Sequence, residues 1–156
     1  MALFQDIKER TAHYLAANLP STMKDLVVDM KAIMISGRTL AQGASCESKM
    51  TKDFFQAASV CSLSEPDYKA LDLGEGKNVQ IVNQSGQAVF SARLDKGLPP
   101  GIIFIPMGPW ANILIAPDTG GCGMPQYKGV EVELSPTDSP ILDIRALFKN
   151  IGGMVE

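Results

Sequence analysis

Apolar and polar residues alternate most regularly over Gln87–Leu94, where Ala88, Phe90, Ala92 and Leu94 fall at every second position. A period of two marks a strand with one face buried. Lys77–Val82 precedes it across Asn83-Gln84-Ser85-Gly86, so the two runs predict a hairpin. Short runs rich in Val, Ile, Leu and Met predict further strands over Leu26–Ile35, Ala57–Leu63, Ile102–Ile105, Ile113–Ala116 and Val130–Leu134. The first ends at the break Ser36-Gly37-Arg38, and Pro99-Pro100-Gly101 interrupts the chain before Ile102.

Helical spacing is confined to short stretches. Phe4, Ile7, Tyr14 and Leu15 fall near one face of a helix over residues 2–18, which Pro20 stops. Thr51 is placed to cap a helical turn over Met50–Phe55. Ser64 suits an N-cap, with Pro66 in the first turn and Asp67 complementing the helix N-terminus. That helix runs to about Leu71, before the turn Gly74-Glu75-Gly76. A last helix is expected over Ile141–Asn150, ended by Gly152-Gly153. About seven short strands without long intervening helices disfavour a doubly wound parallel sheet. A small closed barrel fits better, because closure removes sheet edges. The chain divides into an N-terminal helical extension (1–24), the barrel (25–135) and a C-terminal tail with a short helix (136–156).

Composition narrows the chemistry. The chain has 156 residues, 14 of them Gly and 10 Pro, which suits one domain of many short elements and tight turns. Its single histidine, His13, excludes multi-histidine metal sites and leaves no partner for a nucleophile. A formal charge of −3 without a basic run argues against a nucleic-acid surface. Cys46, Cys61 and Cys122 are odd in number and form no CxxC, so a zinc ribbon or an iron–sulfur ligand run is not expected. Three scattered thiols suit a reducing cytoplasm. Asp6, Lys8, Glu9 and Arg10 are incompatible with a signal peptide, and no apolar run reaches the roughly 20 residues of a membrane span. On inventory alone the chain does not read as a self-sufficient enzyme.

Three segments could carry chemistry, and each has a plain structural reading beside the functional one. Ser36-Gly37-Arg38-Thr39 combines a glycine that permits close approach with a guanidinium fork for phosphate; it also reads as an ordinary strand-ending turn. Pro106–Asn112 holds the only tryptophan, Trp110, in a rigid frame, and packing alone would explain that residue. Asp118–Pro125 has three glycines in four positions, where successive N–H groups can cup an anion. It lacks P-loop and GxGxxG spacing, and a flexible connection explains it equally. Cys122 reads as a loop cysteine and His13 as a helix residue. Glu131 and Glu133, two apart, read as a solvated strand face.

Taken in order, the segments say more. Ile35–Gly43 (ISGRTLAQG) is followed by Glu65-Pro66-Asp67, by Leu73-Gly74-Glu75-Gly76 with Val79 and Ile81, and by Gln84-Ser85-Gly86. Then come Pro100–Phe104 (PGIIF), Met107–Asn112 (MGPWAN), Gly123-Met124-Pro125 and Lys128-Gly129-Val130. This series resembles the molybdopterin-dinucleotide-binding domain of the dimethyl-sulfoxide-reductase superfamily. Within it, the wording is most similar to the small D-type subunits of formylmethanofuran dehydrogenase. The likeness covers roughly residues 30 to 135.

The resemblance implies a mainly β fold, a double-psi β-barrel with short helices. It implies a non-catalytic, cytoplasmic subunit that binds molybdopterin guanine dinucleotide carrying tungsten or molybdenum. A separate catalytic subunit (the B-type chain of such enzymes) would supply the metal ligand, beside amidohydrolase and iron–sulfur subunits. The complex so implied reduces carbon dioxide to formate and forms formylmethanofuran. Carried over residue by residue, Arg38 meets phosphate or guanine, with Ser36, Gly37 and Thr39 giving backbone and hydroxyl contacts and Gln42 following on the same loop. Asn112 offers a donor and an acceptor to a pterin or guanine edge, Gly108 and Trp110 shape that loop, and Lys128 supplies charge. Many relatives have Trp-His-Ser-like residues after the Arg segment where this chain has Gly43-Ala44-Ser45-Cys46, so no side-chain role is carried to 43–46. Two other readings stand beside this one. They are the detached barrel of another molybdopterin oxidoreductase such as a formate dehydrogenase, and a cofactor-free barrel adaptor, which would need no Arg38/Asn112 pair at one mouth.

Overall fold

The computed structural model describes residues 29–151. Among them, six strands close into a barrel: β1 (Met30–Gly37), β2 (Val60–Leu63), β3 (Asn78–Val82), β4 (Gln87–Leu94), β5 (Ile102–Pro106) and β6 (Lys128–Thr137). Around the barrel the order is β1-β5-β2-β4-β3-β6. Two pairs are parallel, β1 with β5 and β2 with β4, and the remaining contacts are antiparallel. This interleaving of two parallel pairs in a closed six-stranded ring makes the fold a double-psi β-barrel.

Alternation along the strands explains the core. Ala32 and Met34, Val79 and Ile81, Ala88 and Phe90, Ile103 and Ile105, and Val132 and Leu134 all point inward and are buried. Ser36 continues the inward series of β1; it is buried, and its hydroxyl donates to the Ile105 carbonyl at 2.6 Å, so the polar group is satisfied inside the barrel. The expected hairpin forms with Asn83 as its corner. The Asn83 Oδ1 accepts from the N–H groups of Ser85 and Gly86, and its Nδ2 donates to the Leu114 carbonyl at 2.7 Å. Gly86 sits so close to Ile113 that a Cβ there would lie 2.7 Å from its Cγ2 and 2.9 Å from its backbone oxygen.

Short helices fill the connections: α1 (Leu40–Ala44), α2 (Lys52–Ala58), α3 (Glu65–Ala70), α4 (Pro109–Asn112) and α5 (Ile144–Ile151). Thr51 caps α2 and Ser64 caps α3, as their sequence positions predict. Asp67 of α3 reaches across to accept from the Gly101 N–H at 2.8 Å, which pins the turn before β5. Asp143 caps α5 by accepting from the Ala146 N–H at 2.7 Å.

Two expectations are corrected. Ile113–Ala116 is not a strand, so the barrel has six strands rather than about seven: the segment is the turn after α4, and its Leu114 and Ile115 belong to the buried core. Ala57 and Ala58 belong to α2 rather than to the strand, which starts at Val60. The helix expected over 2–18, the first residues of the strand expected from Leu26, and Gly152-Gly153 lie outside the described residues. No helix of the described residues is long and apolar enough to cross a membrane.

Candidate functional site

One end of the barrel gathers the segments singled out in the sequence. β1 and β5 run parallel and finish together, with Gly37 opposite Pro106; β6 starts at the same end, with Lys128 opposite Ile35. Parallel pairing therefore delivers the loop after β1, the loop after β5 and the entry to β6 to a single mouth.

The loops are tied to one another by named bonds. The Met107 N–H donates to the Gly37 carbonyl at 2.8 Å, extending the β1–β5 ladder into the loop. Thr39 is the N-cap of α1 in a reciprocal capping box: its hydroxyl oxygen accepts from the Gln42 N–H, and its own N–H donates to Gln42 Oε1, both at 3.2 Å. The other half of the same amide crosses the mouth, where Gln42 Nε2 donates to the Met107 carbonyl at 2.5 Å. Gln42 is buried, so its amide is a strut between the two loops. Gly108 fits against it, with Gln42 Nε2 at 3.8 Å and the Ala58 Cβ at 3.6 Å from where a Cβ would stand.

Trp110 faces the other way. It is 1% exposed, meets Phe55 edge-on with ring centroids 5.5 Å apart, and donates its indole N–H to the Leu142 carbonyl at 2.9 Å. It anchors α4 in the core, and its one donor is already used. Asn112, at the other end of α4, is exposed; its Oδ1 accepts from the Tyr127 hydroxyl at 3.3 Å. Tyr127 in turn accepts the Ser36 N–H on its backbone carbonyl at 2.9 Å, which locks the β6 entry to β1.

The expected residues thus divide into a frame and a set of free donors. Ser36, Gln42 and Trp110 spend their side-chain polar groups on protein partners, and Thr39 spends its hydroxyl oxygen on the cap. Arg38 and Lys128 are exposed, and neither is ion-paired to a described residue. With the Nδ2 of Asn112 they form a set of donors and positive charge with no carboxylate among the residues named at the mouth. That chemistry suits an anion bearing carbonyl and phosphate oxygens. No group of three or more His, Cys, Asp or Glu among the described residues could hold a metal ion. The Gly-rich loop 118–125 leads into β6; Gly120, Gly121 and Gly123 have positive φ, and Cys122 is exposed with its thiol donating to the Thr119 carbonyl. Sequence reasoning missed Tyr127. Its signal was faint, an aromatic residue between the GMP motif and Lys128.

Residues 33–131 match the family described as the Molydopterin dinucleotide binding domain. Over 125 residues the chain is 38% identical to Protein FwdD of Methanocaldococcus jannaschii, covering 77% of this chain and 94% of that protein. Over 107 residues it is 40% identical to the C-type subunit of a molybdenum-containing formylmethanofuran dehydrogenase from Methanothermobacter thermautotrophicus. That alignment covers 67% of this chain but 26% of the larger protein. Among solved structures, acetylene hydratase from Pelobacter acetylenicus superimposes with a TM-score of 0.51 at 18% identity, over 74% of this chain and 19% of that one, and shares the barrel fold. The matched span and the identity to FwdD show the family: the chain belongs to the Molydopterin dinucleotide binding domain family, among the formylmethanofuran dehydrogenase subunits.

Proposed function

We propose that this chain is a non-catalytic subunit of a formylmethanofuran dehydrogenase that grips the pterin guanine dinucleotide at the mouth formed by 37–39, 108–112 and 127–128. The observation that carries the reading is the convergence at one barrel end of an exposed guanidinium, Arg38, with no ion-pair partner among the described residues, an ammonium, Lys128, and an amide donor, Asn112. Within this reading the dinucleotide supplies two-electron redox chemistry at a molybdenum or tungsten ion whose protein ligand belongs to the separate catalytic subunit. This chain's residues bind and orient. Arg38 presents a planar fork that matches two oxygens of a phosphate or the O6/N7 edge of a guanine. Lys128 adds a point charge and Asn112 a directed N–H, while Gly37 packs against the Phe104 ring and Gly108 against Ala58 and Gln42 in the frame behind them. Gln42 ties the two loops together and Trp110 anchors α4 in the core, so the donors are pre-set and little ordering entropy is lost on binding.

Arg38 and Lys128 carry the same unit charge, but the guanidinium adds a fork of two parallel N–H donors where the ammonium is a point charge, so Arg38 is the residue to test first. The test is the assembled complex carrying Arg38→Ala. Pterin and guanine nucleotide per complex are measured after gel filtration, together with the metal content and methanofuran-dependent formate chemistry. The expected result is cofactor retention about tenfold weaker or worse, with the barrel still folded. Full cofactor content in that variant would refute the role of Arg38. A native complex with neither metal nor pterin would refute the function, and metal and pterin without methanofuran dependence would point to another molybdopterin oxidoreductase.

A further inference from the structure

Building on that reading, we propose that Tyr127 is a positioning residue. It fixes the Asn112 amide so that Asn112 presents its Nδ2 hydrogens, and not its oxygen, to an acceptor atom of the bound dinucleotide. An asparagine amide has a donor end and an acceptor end of nearly equal size, and an exposed one turns freely. Here the turn is decided by a neighbour. The Tyr127 hydroxyl donates to Asn112 Oδ1 at 3.3 Å, which commits the oxygen to the protein side and turns the NH2 outward.

Both partners are held from behind. Tyr127 is half-buried, and its carbonyl takes the Ser36 N–H at 2.9 Å, two residues before Arg38 on the same strand end. Asn112 closes α4, its N–H donating to the Gly108 carbonyl at 3.0 Å. One tyrosine therefore sets the Asn112 donor in the same frame as the Arg38 guanidinium. The atom facing Asn112 is an acceptor: a phosphate oxygen, or a carbonyl oxygen or ring nitrogen of a base.

The experiment uses the assembled complex carrying variants of this chain, with the rate of cofactor release after dilution read as guanine nucleotide and pterin fluorescence in the filtrate. Asn112→Ala removes the donor, and release accelerates roughly tenfold, the loss of one hydrogen bond. Tyr127→Phe removes one hydroxyl and keeps the ring and the carbonyl that holds Ser36. Release accelerates by about threefold, while the unfolding midpoint stays at the wild-type value. The double variant releases no faster than Asn112→Ala alone, because the tyrosine acts through the asparagine. Asn112→Asp keeps the acceptor for Tyr127 but loses the donor. Its release is faster than that of Asn112→Ala if the facing atom is a phosphate oxygen, and equal to it if that atom is neutral.

Effects that multiply in the double variant would overturn the proposal, as would retention by Asn112→Asp at the wild-type level. So would a wild-type rate in Tyr127→Phe when Asn112→Ala is impaired. Unchanged release in both Asn112→Ala and Arg38→Ala would instead sink the functional reading on which the proposal stands.

Discussion

Replacing Gln42 tests whether the mouth is held as one unit. Gln42→Ala removes the hydrogen bonds of a side chain only 7% exposed, the two shorter ones running from Thr39 N–H to Oε1 at 3.2 Å and from Nε2 to the Met107 carbonyl at 2.5 Å. Each bond contributes about 1 kcal/mol net, and a partner left buried without one adds roughly another 1 kcal/mol. The expected loss is about 2–3 kcal/mol, or about 6–9 °C in melting temperature for a chain of this size. Gln42→Glu separates the two bonds. A carboxylate still accepts from Thr39 N–H, but sets an oxygen against the Met107 carbonyl where an N–H donor stood. The cap survives, the strut is lost, and stability falls at least as far as in Gln42→Ala. Urea unfolding followed by tryptophan emission measures this directly, since Trp110 is the only tryptophan and sits in the segment that the strut holds. Wild-type stability in Gln42→Glu, or a loss below about 0.5 kcal/mol in Gln42→Ala, would show that the bond across the mouth contributes nothing.

Two further outcomes follow from packing and burial. Trp110→Ala empties a fully buried site and abandons the Leu142 carbonyl, so urea unfolding should show a loss of about 3–5 kcal/mol. In the native protein a thiol reagent should label Cys46 and Cys122, which are exposed, and reach Cys61 only after unfolding. Burial pushes the Cys61 thiol far above its ordinary range. The folded state therefore keeps that proton while the unfolded state releases it above about pH 8.5, so stability is complete below that pH and declines as pH rises, by about 1.4 kcal/mol per unit. A flat stability profile from about pH 8 to about pH 10 would contradict this.

What could be read from the chain alone, and what could not, follows from where the information sits. The hairpin was readable because Ala88 and Phe90 alternate with outward residues, and because Asn83 acts locally, its Oδ1 accepting from the N–H groups of Ser85 and Gly86. Thr51 and Ser64 were readable as caps for the same reason, since a cap acts within three residues. Ile113–Ala116 misled because an apolar run records burial but not its geometry; Leu114 and Ile115 are buried in a turn tied to the hairpin through the Leu114 carbonyl. The helix α1 was overlooked although Thr39 and Gln42 spell a capping box, because Gly43 falls inside it. At the site, the segments were visible as motifs, but their convergence depends on β1 pairing parallel with β5. No local pattern encodes that pairing. The division of labour was hidden for the same reason: Gln42 and Trp110 find their partners, Met107 and Leu142, only in the closed fold.

The parallel pairing of β1 with β5 also orders events in time. Ser36 and the carbonyl that receives its hydroxyl are 69 positions apart, and the strand that completes the mouth, β6, is the last of the six to leave the ribosome. Contacts so distant in sequence form late, after loop-closure entropy has been overcome. A nascent chain that has already exposed Ser36-Gly37-Arg38 therefore carries the arginine without the cradle, and truncation before Lys128 leaves every earlier motif intact but no mouth. On the proposed function, loading of a dinucleotide would follow barrel closure. A half-made chain has nothing with which to sequester the cofactor.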